Sequence, residues 1–92
     1  MKTEIISDNK FLENFKNNKF VAGTRQSLKF MSMHPEKVKC VILARNTSEN
    51  IISKILQNAD SADLDVYYIE SKIKLAEFAK IDVPTSIVAI LK

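Results

Sequence analysis

The residues best equipped for chemistry lie in one short run, Gly23-Thr24-Arg25-Gln26-Ser27-Leu28-Lys29. Gly23 is the only glycine of the chain, and glycine lets a partner approach the backbone closely. A helix starting directly after it presents unpaired N–H groups with partial positive charge, a setting that suits an anion such as phosphate. At helical spacing Arg25, Gln26 and Lys29 fan across one side, away from Leu28 and Met31. Arginine forks onto guanine O6 and N7, glutamine both donates and accepts at a base edge, and lysine neutralises phosphate, so the trio is chemically suited to nucleic acid. An ordinary exposed helix start accounts for the pattern equally well. A second run, Ile81-Asp82-Val83-Pro84-Thr85, puts apolar side chains in a turn. They either cover an extruded base or tuck under the fold.

Other chemistries have little to stand on. His34, the sole histidine, precedes Pro35 at a helix end, which fits a terminal or solvent-facing role rather than that of a general base. One histidine and one cysteine make no zinc set and no Cys-X-X-Cys pair. Asp60, Asp63 and Asp65 lack the glycine and closing glutamate of a calcium loop. No catalytic residue, metal or cofactor is expected. Cys40 stands in the apolar run with Val41, Ile42 and Leu43, where a small buried thiol is the expectation.

These runs need a scaffold, and the hydrophobic periods describe one. Ser7 or Asp8 to Phe15 predicts a short helix, Phe20–Ala22 a short strand, and Thr24 to about Met33 a helix stopped by Pro35. Val38–Ala44 is apolar with little alternation, which predicts a central strand covered on both faces. Thr47 or Ser48 caps a helix carrying Ile51, Ile52, Ile55, Leu56 and Ala59; Leu64–Ile69 is a strand; Ser71 caps a helix carrying Ile73, Leu75, Ala76, Phe78 and Ala79; and Ser86–Leu91 is the last strand. Strands alternating with helices predict an α/β domain, a central sheet with helices on both faces.

Ninety-two residues make a single domain spanning 1–92. With 46% hydrophobic and 27% charged residues, the composition is that of a globular protein that needs no disulfide. The first residues show neither a signal peptide nor a membrane-spanning stretch, so the expected location is the cytoplasm. The net charge of +3 is unevenly spread: residues 16–45 carry seven basic side chains against Glu36 alone, while the segments on either side are net negative. Such concentration is compatible with a polyanionic partner or with a solvated face.

The Gly-Thr-basic-Gln run, the lysine one turn later, the strand Val38–Ala44, the run Ser71-Lys72-Ile73-Lys74-Leu75-Ala76 and the segment Ile81-Asp82-Val83-Pro84, in this order, resemble the kink-turn RNA-binding ribosomal protein family. This is the L-seven-Ae and L-thirty-e group, and the resemblance is to its bacterial branch, over about residues 11 to 92. It implies an α/β fold, a three-layer α/β/α sandwich with a four-stranded mixed central sheet and helices on both faces, and a non-catalytic protein that recognises and stabilises kink-turns, sharply bent duplexes with a bulge followed by sheared G·A pairs. Arg25 and Gln26 would then meet guanine edges, and Lys29 with the amides near Gly23 and Thr24 would hold the backbone. Ile81, Val83, Pro84 and Thr85 would form the loop against the unstacked nucleotide, with Arg45 and Lys72 reaching phosphate. The partner would be structured RNA containing kink-turns, whether ribosomal, riboswitch or other, bound by a monomer in or outside the ribosome, with no membrane involved. The alternative is a ribosome- or translation-associated protein-interaction module that has lost kink-turn specificity. Two positions depart from the family pattern. Arg25-Gln26 stands where archaeal-type members tend to have Asn-Glu, and Lys80 stands where a glycine usually closes the fourth helix, although lysine disfavours positive φ.

Overall fold

The uninterrupted apolar run Val38–Ala44 forms the middle strand of the molecule, with every residue but Lys39 buried. The computed structural model describes Thr3–Ile5, Glu13, Phe15 and residues 17–92. In chain order the elements are β1 Thr3–Ile5, β2 Phe20–Ala22, α1 Thr24–Met33, a 3₁₀ turn Pro35–Lys37, β3 Val38–Ala44, α2 Glu49–Ser61, β4 Asp65–Ile69, α3 Lys72–Ala79 and β5 Ile87–Leu91. The strands lie side by side as β1-β4-β3-β5-β2. β1, β4 and β3 run parallel, whereas β5 is antiparallel to both β3 and β2.

The four expected strands thus form a mixed sheet, to which the three residues Thr3–Ile5 add a fifth strand at the β4 edge. The helix expected over residues 7–15 lies outside the described residues, apart from Glu13 and Phe15. Phe15 is buried in the core.

Side-chain alternation divides the core into two layers. Cys40, Ile42, Ala44, Ile69, Val88 and Ile90 pack on one face with Leu75 and Ala79 of α3 and with Phe15. Val41, Leu43, Val66, Ile87 and Ala89 pack on the other, with Met31 of α1 and with Ile55 and Ala59 of α2. Helices cover both faces, as the sequence predicts. Val38 departs from strict alternation and joins Val41 and Leu43, because the register shifts between Val38 and Cys40: these pair with Leu91 and Ile90, leaving Lys39 as one residue too many on β3. Such a bulge turns the preceding side chain to the opposite face.

The helix ends follow local chemistry. Ser71 accepts a hydrogen bond from the Lys74 amide at 3.2 Å, the expected cap of α3. Ser48 occupies the cap position of α2 without a side-chain hydrogen bond. Helix α1 ends one residue before His34, whose amide donates to the Phe30 carbonyl at 2.8 Å, and Pro35 then opens the 3₁₀ turn. Cys40 is buried, and that burial pushes its thiol pKa up to about 12, against a smaller opposing pull from Lys39.

Candidate nucleic-acid interface

Gly23 links β2 to α1 with φ 98° and ψ 146°, a backbone state that residues with a side chain adopt only at a cost of about 1–3 kcal/mol. A Cβ on Gly23 would meet only Gln26 Oε1, at 3.8 Å, so the backbone and not crowding calls for glycine. Its amide donates to the Ile87 carbonyl at 3.1 Å and its carbonyl accepts from the Ser27 amide at 2.9 Å. Ser27 is fully buried and its hydroxyl donates to the Val21 carbonyl at 3.0 Å, which fastens the first turn of α1 to the strand before it. Arg25, Gln26 and Lys29 are left exposed, while Thr24 is half-buried. The turn carries no acidic residue and no side-chain cap hydrogen bond, so the positive end of the helix dipole and the cations Arg25 and Lys29 reinforce one another within α1.

A chain of hydrogen bonds gathers three more segments at this end of the sheet. The Ala44 amide donates to Ser86 O at 2.8 Å, and the Arg45 amide to Ile69 O at 2.9 Å. The Lys72 amide donates to Asn46 Oδ1 at 2.9 Å, and the Thr85 amide donates to Lys72 O at 3.4 Å. Since Ser86 leads into Ile87, the partner of Gly23, the basic turn, the Arg45 loop, the start of α3 and the Ile81–Thr85 loop form one continuous edge. It lies outside the carboxyl ends of β3 and β4, the side on which ligands of open α/β sheets commonly bind.

The loop residues divide into support and surface. Ile81 is half-buried against the α3 side of the core, and its amide donates to Ala76 O at 3.0 Å. Thr85 is buried, its hydroxyl donating to Ile87 O at 3.2 Å. Val83, 64% exposed, and the exposed Pro84 form the outer surface. Lys80 ends α3 in the left-handed conformation with φ 57°, so the backbone keeps the geometry that a glycine would favour despite the lysine side chain.

Sequence reasoning did not assign two residues to this edge, Asn46 and Thr47, the second of which it read as a candidate cap of α2 where the structure has Ser48. Asn46 ties the loop after β3 to α3, and an asparagine in a loop carries no long-range signal by itself. Thr47 is buried, and its hydroxyl has no hydrogen-bond partner among the described residues; only the fold shows that it is enclosed. Arg45 is exposed and Lys72 half-buried here. Glu70 is held by Lys74 at 2.8 Å, and that hydrogen bond together with the lysine charge lowers its carboxyl pKa. No group of three or more His, Cys, Asp or Glu side chains that could hold a metal occurs among the described residues.

The basic third of the sequence does not stay together. Arg25, Lys29 and Arg45 belong to this edge, whereas Lys19, Lys37 and Lys39 stand at the opposite ends of β2 and β3. No described helix is long and apolar enough to cross a membrane.

The sequence model of the "Ribosomal protein L7Ae/L30e/S12e/Gadd45 family" matches residues 9–92. An RNA-binding protein from Geobacillus sp. (strain WCH70) is 32% identical over 74 residues, covering 80% of this chain and 88% of that protein. The solved structure of a 15.5 kD RNA binding protein from Giardia lamblia superposes with a TM-score of 0.77, covering 96% of this chain and 78% of its own, at 20% identity. That last likeness is one of fold.

Proposed function

The chain belongs to the ribosomal protein L7Ae/L30e/S12e/Gadd45 family, and from that membership and its basic sheet edge we propose that it is a non-catalytic RNA-binding protein that recognises and stabilises kink-turns. The observation that carries this reading is the Gly23 to Ile87 hydrogen bond, which ties the start of the exposed Arg-Gln-Lys helix turn to the strand that follows the Ile81–Thr85 loop. A-form grooves hide base edges, and RNA sites that combine distortion with unstacked bases expose them. An edge with donors on one side and an apolar surface on the other suits such a site.

In this reading Arg25 and Gln26 address guanine edges of the sheared pairs, and Lys29 with the first amides of α1 holds the flanking phosphates. Val83 and Pro84 pack on the bulged nucleotide, with Ile81 and Thr85 fixing the loop from beneath. Arg45 and Lys72 add phosphate contacts. Stabilisation of the kink follows only if the kinked RNA is bound better than the extended one. A swing from 1:99 to 99:1 needs about 5.5 kcal/mol of differential binding. Two polar base contacts at about 1–3 kcal/mol each, with one stacked base at about 1–3 kcal/mol, are of that size.

The test is an equilibrium titration against a kink-turn RNA and a control in which the G·A pairs are disrupted. Tighter binding of the intact motif, with compaction followed by end-to-end fluorescence transfer, is the expected result. Equal affinity for the two RNAs would rule the reading out.

A further inference from the structure

The sheet end opposite the Gly23 edge carries a second concentration of positive charge. The Lys92 amide donates to Lys37 O at 2.9 Å, the Leu91 amide donates to Lys19 O at 2.8 Å, and Asn18 Nδ2 donates to Leu91 O at 2.8 Å. These bonds hold Lys19, Lys37 and Lys92 on three adjacent strand ends, with Lys39 at the start of β3 beside them. All four lysines are exposed. Among the described residues Lys19, Lys37 and Lys92 make no ion pair, and the Lys39 ammonium sits 5.3 Å from the centre of the Phe15 ring.

The carboxylates of this end gather on its β4 side: Asp65 pairs with Cys40 beside Lys39, Asp60 and Asp63 stand between α2 and β4, and Glu36, next to Lys37, is 3.8 Å from His34, whereas Lys19 and Lys92 stand on the β2 and β5 side. The chemistry of the cations also differs between the two ends. Both arginines of the chain, Arg25 and Arg45, belong to the Gly23 edge, and the opposite end has lysine alone. Arginine reads planar groups through a rigid fork, whereas lysine acts as a mobile point charge that neutralises phosphate without distinguishing bases.

We propose that Lys19, Lys37, Lys39 and Lys92 form a second, sequence-independent phosphate-binding surface, so that one molecule holds a second RNA segment at the end remote from the kink-turn edge. The proposal takes RNA binding from the reading above but not the kink-turn specificity. The two surfaces are separated by the length of β3, about 20 Å at the usual rise per residue, in a body of 28 × 27 × 23 Å. That separation leaves room for two RNA segments at once.

The experiment titrates the full chain with a plain RNA duplex that has no bulge or G·A pairs, across a series of salt concentrations. Three proteins are compared: the wild type, the triple variant Lys19→Gln, Lys37→Gln and Lys92→Gln, and the double variant Arg25→Ala and Gln26→Ala. Circular dichroism first checks that each is folded. The triple variant should lose at least about tenfold in duplex affinity at low salt, and its slope of log K against log salt should become shallower by about three, one per lysine. The double variant, which removes a single cation from the other edge, should lose less duplex affinity than the triple variant, and its slope should become shallower by no more than about one. A further arm saturates the wild type with an immobilised kink-turn RNA and adds the plain duplex, which should be retained. Unchanged duplex affinity and slope in the triple variant would overturn the proposal, as would preferential binding of an acidic peptide at this end, which would indicate a protein partner. Loss of kink-turn discrimination with lysine-dependent duplex binding intact would remove the earlier reading and leave this one standing.

Discussion

The amide of Lys72 is bound by the side-chain oxygen of Asn46 across 2.9 Å, so the start of α3 takes its position from the loop after β3. The two residues are far apart in sequence, and the bond aligns two basic segments, Arg45 and Lys72. Asn46→Ala should cost about 1 kcal/mol of stability, the usual net worth of such a bond, and should loosen RNA binding. Asn46→Asp keeps an acceptor and should recover the stability. Its added negative charge should keep affinity low at low salt, a split that urea unfolding and RNA titration read separately.

Gly23→Ala tests the backbone argument. Its Cβ would meet nothing closer than 3.8 Å, so a loss of about 1–3 kcal/mol in urea unfolding would come from the positive φ alone. A change below about 0.3 kcal/mol, within ordinary surface variation, would mean that another conformation serves the junction equally well.

Lys80 offers the inverse case. With φ at 57°, Lys80→Gly should relieve left-handed strain of about 1–2 kcal/mol, offset in part by the greater freedom of glycine in the unfolded chain. A net gain of about 0.5–1 kcal/mol is expected, read as a higher urea midpoint. Affinity for RNA should hold or improve, since the loop keeps its geometry.

Arg25→Ala with Gln26→Ala removes exposed side chains, so stability should move by less than about 0.5 kcal/mol. Kink-turn preference over the G·A-disrupted control should fall by about tenfold or more, the equivalent of one lost base contact. Val83→Ser should weaken binding to an intact kink-turn but not to a variant that lacks the bulged base.

Cys40 makes a prediction about pH. Its thiol is raised to about 12 in the folded protein from an ordinary value of 9.0, so the unfolded chain gives up this proton first. Above pH 9 the unfolded state binds fewer protons, and stability falls as pH rises. The contribution is complete below pH 9 and is lost on approach to 12. Because lysines also titrate in this range, the measurement is the difference between wild type and Cys40→Ala in urea unfolding at pH 8 and pH 10. The wild type should lose more. The native thiol should also resist alkylation until the protein unfolds.

Much of this architecture was legible where local chemistry and packing agree. The unalternating run Val38–Ala44 named the central strand, Thr24–Met33 the first described helix, and Ser71 the cap of α3. What escaped depended on distant partners. Thr3–Ile5 is too short to show a period and is a strand only because β4 accepts it in parallel. Ser48 had the right type and place for a cap, yet its side chain makes no cap bond. The charge of residues 16–45 looked like one patch, but successive strands and helices carry it back and forth, so it emerges at two ends. The Gly-Thr-Arg-Gln run and the Val83-Pro84 tip were visible as pieces. The bond that ties the first run to the strand after that tip depends on β5 lying between β3 and β2.

That position of β5 has a consequence for synthesis. A nascent chain that has emerged only as far as residue 86 contains the whole basic turn but has nothing to receive the Gly23 amide, because Ile87 is still to come. Such non-local pairing delays completion of a fold. RNA affinity should therefore appear only once β5 has been made and has paired with β2 and β3.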